Sequence, residues 1–300
     1  MSVWIFATLS AAFAQNLRFM LQKTLKSRLS TLGATFARFV FAAPLAGTLV
    51  LGMVVLGDVP LPGVTPGFFA YAIVGGIAQI LATALLVALF SLRNFAVGVA
   101  YSKTETMATV ALSAIILGEG VGIWAFGAML VTLIGVVLMS GLPTRANLRQ
   151  GIFGRPALIG LAAGVIFSVA SIGYRGATLA LESGGYFMRA ALTLAFVTAF
   201  QTLIMAIWLA WREPGQMRAV IAQWRIAIWV GVAGMLGSLG WFVAFTLQHA
   251  AYVKAVGQVE LVFSVLASWL FFREAMRRTE LLGIALIGGG IILLLLLPQG

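Results

Sequence analysis

Ten runs of apolar residues, each about 20 residues long or more, follow one another through the chain with short gaps between them. They cover roughly 3–22, 32–57, 68–91, 95–117, 121–141, 157–179, 185–211, 225–247, 250–272 and 279–297. A helix of about 20 apolar residues crosses the hydrocarbon core of a bilayer. Inside that core each backbone N–H and C=O must find its partner within the protein, so only helices and closed barrels span it. Barrel strands alternate polar and apolar over about ten residues, whereas these runs are longer and apolar throughout. The sequence is therefore read as an all-α integral membrane protein with ten transmembrane helices. Composition agrees: 62% of the residues are hydrophobic and 9% charged, against about 25% charged in soluble domains.

The residue inventory excludes several kinds of chemistry. There is no Cys and a single His, His249, and Asp58 is the single Asp. Disulfides, thiolate catalysis, histidine-based metal hydrolysis and Ser–His–Asp triads lack their raw material. No nucleotide-binding motif is present, and the gaps are too short to hold an ATPase domain. Neither an enzyme nor a cofactor is expected. The net charge of +11 would point to nucleic acid in a soluble protein. Here the basic residues sit in gaps between apolar runs, so their partner is the membrane and no nucleic acid is expected.

The gaps alternate. The first holds Lys23, Lys26 and Arg28, and the second holds no Lys or Arg. The third holds Arg93, the fifth Arg145, Arg149 and Arg155, the seventh Arg212 and Arg218, and the ninth Arg273, Arg277 and Arg278; the fourth, sixth and eighth hold none. Basic gaps stay cytoplasmic, so both termini are expected on the periplasmic side of a bacterial inner membrane. Ala12-Phe13-Ala14 resembles a signal-peptidase site, but no Lys or Arg precedes the apolar stretch, so a retained first helix is expected.

The two halves of the chain repeat. Leu89–Glu119 aligns with Ala244–Glu274 at an offset of 155, which pairs Glu105 with Glu260 and Glu119 with Glu274. Gly33, Phe36 and Arg38 align with Gly184, Phe187 and Arg189 at an offset of 151. Five spans per copy is an odd number, so the second copy enters from the opposite side. The expected architecture is two inverted five-helix repeats around a central cavity, 1–142 and 157–300, joined by a cytoplasmic linker at 143–156. Inverted repeats place a site near the midplane and permit alternating access.

The segments "LSAIILGE" at 112–119 and "LASWLFFRE" at 266–274, each followed by a Gly-rich helix, resemble the drug/metabolite transporter superfamily, EamA type. "YSKTETMATVAL" at 101–112 is similar to the YddG-type aromatic amino-acid exporter branch. The resemblance implies a ten-helix secondary transporter. Many relatives carry Pro near the positions of Glu105 and Glu260, where this chain has Thr106-Met107 and Leu261-Val262. The helix breaks of the family are therefore not carried over on sequence.

Polar residues inside apolar helices mark candidate sites. Glu105 and Glu260 each lie about 16 Å along their segments, near mid-bilayer, and read equally as substrate or proton ligands and as structural carboxylates. Lys103 stands about 200° round the helix from Glu105, so the two are not expected to pair; it either meets a substrate carboxylate or snorkels. Lys254 is read as a snorkelling residue. Asn16, Gln79 and Gln258 line the cavity or bond across helices, as does Gln15, and Tyr101 and Tyr174 join the cavity set. Trp241, far from either interface, is a cavity wall or a packing residue. The glycine stripe Gly231, Gly234, Gly237 and Gly240 is read mainly as a close-packing face, and Pro44 as a kink. Glu119 and Glu274 are read as helix caps. Depth matching pairs Arg38 with Glu105 and Arg189 with Glu260. No metal site is expected.

The function expected is export of small metabolites, amino acids first among them (aromatic or other apolar), by a monomer. Charges of both signs near the midplane suit a zwitterion. Export of cationic drugs, which an acidic cavity would favour, is the alternative on the same fold. A channel or membrane-embedded enzyme would need polar rings or a catalytic cluster that the sequence lacks.

Overall fold

The computed structural model describes residues 2–90, 102–139, 155–272 and 278–297. Among the described residues all regular structure is helical: α1 (Val3–Lys26), α2 (Thr31–Val55), α3 (Pro66–Leu89), α4 (Glu105–Leu117), α5 (Ile123–Met139), α6 (Arg155–Leu179), α7 (Tyr186–Arg212), α8 (Gln216–Ala222), α9 (Trp224–Leu247), α10 (Ala250–Gly257), α11 (Val259–Phe272) and α12 (Arg278–Leu296). Six of these are long and apolar enough to cross a membrane: α2, α3, α6 over 158–179, α7, α9 and α12. Most of the linker 143–156, along with Tyr101 and Glu274, lies outside the described residues.

Local signals set several ends. The Ser30 hydroxyl accepts from the Gly33 amide at 2.9 Å and opens α2. Thr65 does the same for Phe68 at 3.1 Å, with Pro66 at the first helical position of α3, where its missing N–H is not needed. Gly118, at φ 69°, closes α4 in the left-handed region, which costs a glycine nothing. Helix α2 continues through Pro44 without interruption.

Packing relies on small residues. A methyl group on Gly173 would lie 2.7 Å from the Gly75 Cα and 2.8 Å from the Tyr71 carbonyl, so α6 and α3 meet backbone to backbone. One on Gly135 would lie 2.7 Å from the Gly283 carbonyl, which joins α5 to α12 in the same way. The glycine stripe of α9 packs: Gly231 faces Phe41, Gly234 faces Arg18 and Arg38, and Gly237 and Gly240 face Ala11. Between apolar helices in lipid, close approach and dispersion supply the attraction that water supplies elsewhere. The outer surface is apolar, with Leu56, Trp124 and Leu296 all more than three-quarters exposed. So much exposed apolar surface fits a multi-span membrane protein. Trp4, near the start of α1, is buried.

Two pairs of loops meet. Arg28 donates to the Gln223 side chain at 2.9 Å, so the basic turn after α1 packs against the turn before α9. At the other end Thr65 donates to the Ala180 carbonyl at 2.9 Å, and the Glu182 amide to the Gly63 carbonyl at 3.1 Å. Two gaps rich in Lys and Arg thus share one end of the bundle, here the basic end, and two gaps that lack them share the other.

Two segments expected as single helices are broken. The chain turns at Lys103 and Thr104 before α4, and at Gln258 between α10 and α11. The breaks match at the offset of 155: the Thr106 amide donates to the Lys103 carbonyl at 3.3 Å, and the Leu261 amide to the Gln258 carbonyl at 3.0 Å. Polar side chains take the place of proline here. Gln258 donates through Nε2 to the Thr106 hydroxyl at 3.0 Å, which reaches the Lys254 carbonyl at 3.5 Å, so the two breaks satisfy each other.

Candidate functional site

The breaks bring four charged side chains together. Glu105 is the first residue of α4 and Glu260 the second of α11, so each carboxylate sits at a helix N-terminus, whose partial positive charge favours an anion. Lys103 Nζ lies 2.6 Å from Glu260 Oε2 and 3.7 Å from Glu105 Oε1, and Lys254 Nζ lies 3.5 Å from Glu105 Oε2. All four side chains are at most 8% exposed. Gln15 donates to Glu260 Oε2 at 2.8 Å and accepts from the Trp241 indole at 3.0 Å. The ammonium of Lys254 lies 4.5 Å from the centre of the Trp241 ring, a cation–π distance.

This arrangement corrects several expectations. Lys103 and Glu105 do pair, because the turn between them abolishes the 200° separation of an intact helix. Lys254 does not snorkel; it points inward to Glu105. The pairs Arg38–Glu105 and Arg189–Glu260 do not form. Arg38 donates to the Thr83 hydroxyl at 3.1 Å and to the Ser238 hydroxyl at 3.0 Å. Arg189 donates to the carbonyls of Thr178 at 2.8 Å and Leu179 at 3.0 Å. Similar depth did not bring the side chains to the same azimuth. Glu119 caps no helix either. It takes a twofold contact from Arg175, with Nε to Oε1 and NH2 to Oε1 both at 2.6 Å, while Arg175 also holds the carbonyls of Phe245 and, at 2.7 Å, Gln248. That knot ties α6, the loop after α4 and the end of α9 together.

Lys103, Glu105, Lys254, Gln15, Gln79, Tyr174 and Trp241 line a cavity between the helices, with Phe19, Ser102, Phe167, Ala170, Ser171, Ser238, Phe242 and Phe245. The cavity volume is about 20 Å³. A metabolite of amino-acid size needs the walls to part. Tyr174 stacks on Phe242 at 4.4 Å and donates to Gln79 at 2.6 Å. Gln201, which carried no sequence signal beyond being an amide in an apolar run, braces that pair by donating to Gln79 at 3.0 Å. Trp241 is both wall and packing residue, because Gly257 lies directly against its ring.

Three candidates stand elsewhere. Asn16 accepts from Ser264 at 2.8 Å and lines an apolar groove between α1 and α11. Gln258 is inter-helix glue. Glu260, fully buried, lies behind the cavity wall and reaches it through Lys103 and Gln15. Among the described residues no group of His, Cys, Asp and Glu has the makings of a metal site.

Residues 154–296 match the EamA-like transporter family. No curated protein matches the chain. The crystal structure of a protein superposes with a TM-score of 0.66 at 16% identity, over 97% of this chain and 95% of that one; the two share a fold. The family match, on the half that carries Lys254, Gln258 and Glu260, supports the drug/metabolite transporter superfamily and points to a membrane transporter of small molecules rather than an enzyme.

Proposed function

We propose that the chain is a ten-span secondary transporter that exports small metabolites, amino acids first among them, through the cavity at the two helix breaks. The observation that carries this reading is the buried cluster of Lys103, Lys254, Glu105 and Glu260. Two of its contacts, at 3.5 and 3.7 Å, are longer than a good charge-assisted hydrogen bond. A zwitterion can replace them, its carboxylate towards the lysines and its ammonium towards Glu105. Trp241, Phe242 and Phe245 offer an apolar wall to a side chain, which suits the aromatic or other apolar amino acids of the YddG-type resemblance.

Helix pairing favours two inverted repeats. If α6 corresponds to α1 and α9 to α3, then α1 packing on α9 has its image in α3 packing on α6. The contacts α2 with α7 and α5 with α12 are each their own image. Matching breaks at 103–104 and 258 fit the same symmetry. Exchange of the two halves' conformations would then open the cavity to alternate sides. The Arg175–Glu119 knot closes the end opposite the basic loops. The protein acts as a monomer in the plasma membrane, with both termini periplasmic.

The chain has no cysteine, so a single one is a clean reporter. In a Ser171→Cys variant, a membrane-impermeant thiol reagent should label from each side in turn, and transported substrate should change both rates. Labelling from one side alone, whatever is added, contradicts alternating access.

A further inference from the structure

We infer that Arg18 and Arg38 form an anion-binding station beside the cavity, so that the transported molecule is a small organic acid of net negative charge. The inference rests on the transporter reading and, within small metabolites, puts acids such as an acidic amino acid or a dicarboxylate ahead of the apolar zwitterions.

Both arginines lie inside the bundle, 1% and 3% exposed. Arg18 is about 12 Å along α1 from its basic end, and Arg38 about 10 Å along α2. They are neighbours: a methyl group on Gly234 would lie 3.1 Å from the Arg38 Cγ and 3.2 Å from the Arg18 Cδ. No carboxylate among the described residues forms an ion pair with either. The hydrogen-bond partners of Arg38 among the described residues are two neutral hydroxyls, those of Thr83 and Ser238. Arg18 donates through NH1 to Gln22 at 2.5 Å, and its buried NH2 has no hydrogen-bond partner among the described residues.

Like charges side by side in hydrocarbon are costly, and each guanidinium is built to take a carboxylate or phosphate on two parallel N–H groups. Together with the midplane cluster, four cations face two carboxylates, a surplus of two positive charges. A zwitterion leaves that surplus untouched, whereas an anion reduces it. Both arginines touch the cavity wall: Arg18 lies 4.2 Å from the centre of the Phe19 ring and Arg38 bonds to Ser238, and both Phe19 and Ser238 line the cavity. Arg18 is three residues beyond Gln15 towards the basic end. A carboxylate entering from the basic end would meet the arginines before it reached Lys103 and Lys254.

Thermal unfolding of the purified protein tests this. Sodium succinate and sodium L-glutamate, each at the ionic strength of a sodium chloride control, should raise Tm by at least about 2 °C, and L-glutamine should not. The rise should vanish in Arg18→Gln and in Arg38→Gln. Arg18→Gln removes an unpartnered buried charge, so it is expected to fold; Arg38→Lys, which keeps the charge, should retain part of the rise if Arg38→Gln does not fold. No rise in the wild type, or a rise that survives in Arg18→Gln, overturns the proposal. A rise that needs the arginines but accompanies no flux in proteoliposomes upholds the anion station and overturns the transporter reading.

Discussion

Lys103 holds the shortest contact of the buried cluster, 2.6 Å to Glu260, and its loss would leave two carboxylates short of charge. Breaking a buried pair from one side costs about 3–5 kcal/mol, and removing both partners costs far less. Lys103→Met should therefore lower stability by about that amount, and Lys103→Met combined with Glu260→Met should recover most of it, as read by thermal unfolding in detergent. A double variant as unstable as the sum of the single ones would mean that the two side chains do not depend on each other. The charged residues themselves stand out in the sequence, because Glu, Lys and Arg inside apolar runs are expensive. Their partners do not. The partner of Glu105 is set by a turn at Lys103–Thr104 that no proline announces, and that of Arg38 by azimuths that depth alone leaves open. Gln201 is legible as a buried amide, but its place beside Gln79 and Tyr174 depends on how α7 meets α3.

Helix identity was legible from apolar length, and helix packing partly from glycine. The stripe on α9 reads correctly as a close-packing face because its glycines recur every three residues. The contact between Gly75 and Gly173 does not follow from either segment alone, since each helix carries several small residues and their register is a property of the pair. Gly173→Val should force α3 and α6 apart and cost about 1–3 kcal/mol, while Gly127→Val, where an added methyl group meets nothing within 4 Å, should cost little. Equal melting temperatures for these two variants would contradict the packing. The breaks are the other case in which local signals fall short. Gln258 and Thr106 close them by bonding to each other across two segments, so neither segment carries the signal by itself.

Across the whole molecule, the alternation of gaps with and without Lys and Arg anticipates that two basic loops share one end and two loops that lack them the other. Arg28 meets Gln223 at the basic end, and Thr65 meets Ala180 at the other. With basic loops cytoplasmic, alkaline phosphatase fused after residue 300 should be active in bacterial cells, and a fluorescent protein that matures only in the cytoplasm should stay dark there. A bright fusion would reverse the sidedness. The function claimed rests on a narrow cavity that must widen around a small charged metabolite held by the cluster at the two breaks. The most direct measurement is counterflow of labelled amino acids and dicarboxylates in proteoliposomes, for the wild type and for Lys103→Met combined with Glu260→Met, both verified as folded. Saturable counterflow of at least one such metabolite in the wild type, abolished in the double variant, is the result expected; saturable counterflow in neither, or equal counterflow in both, would contradict the account.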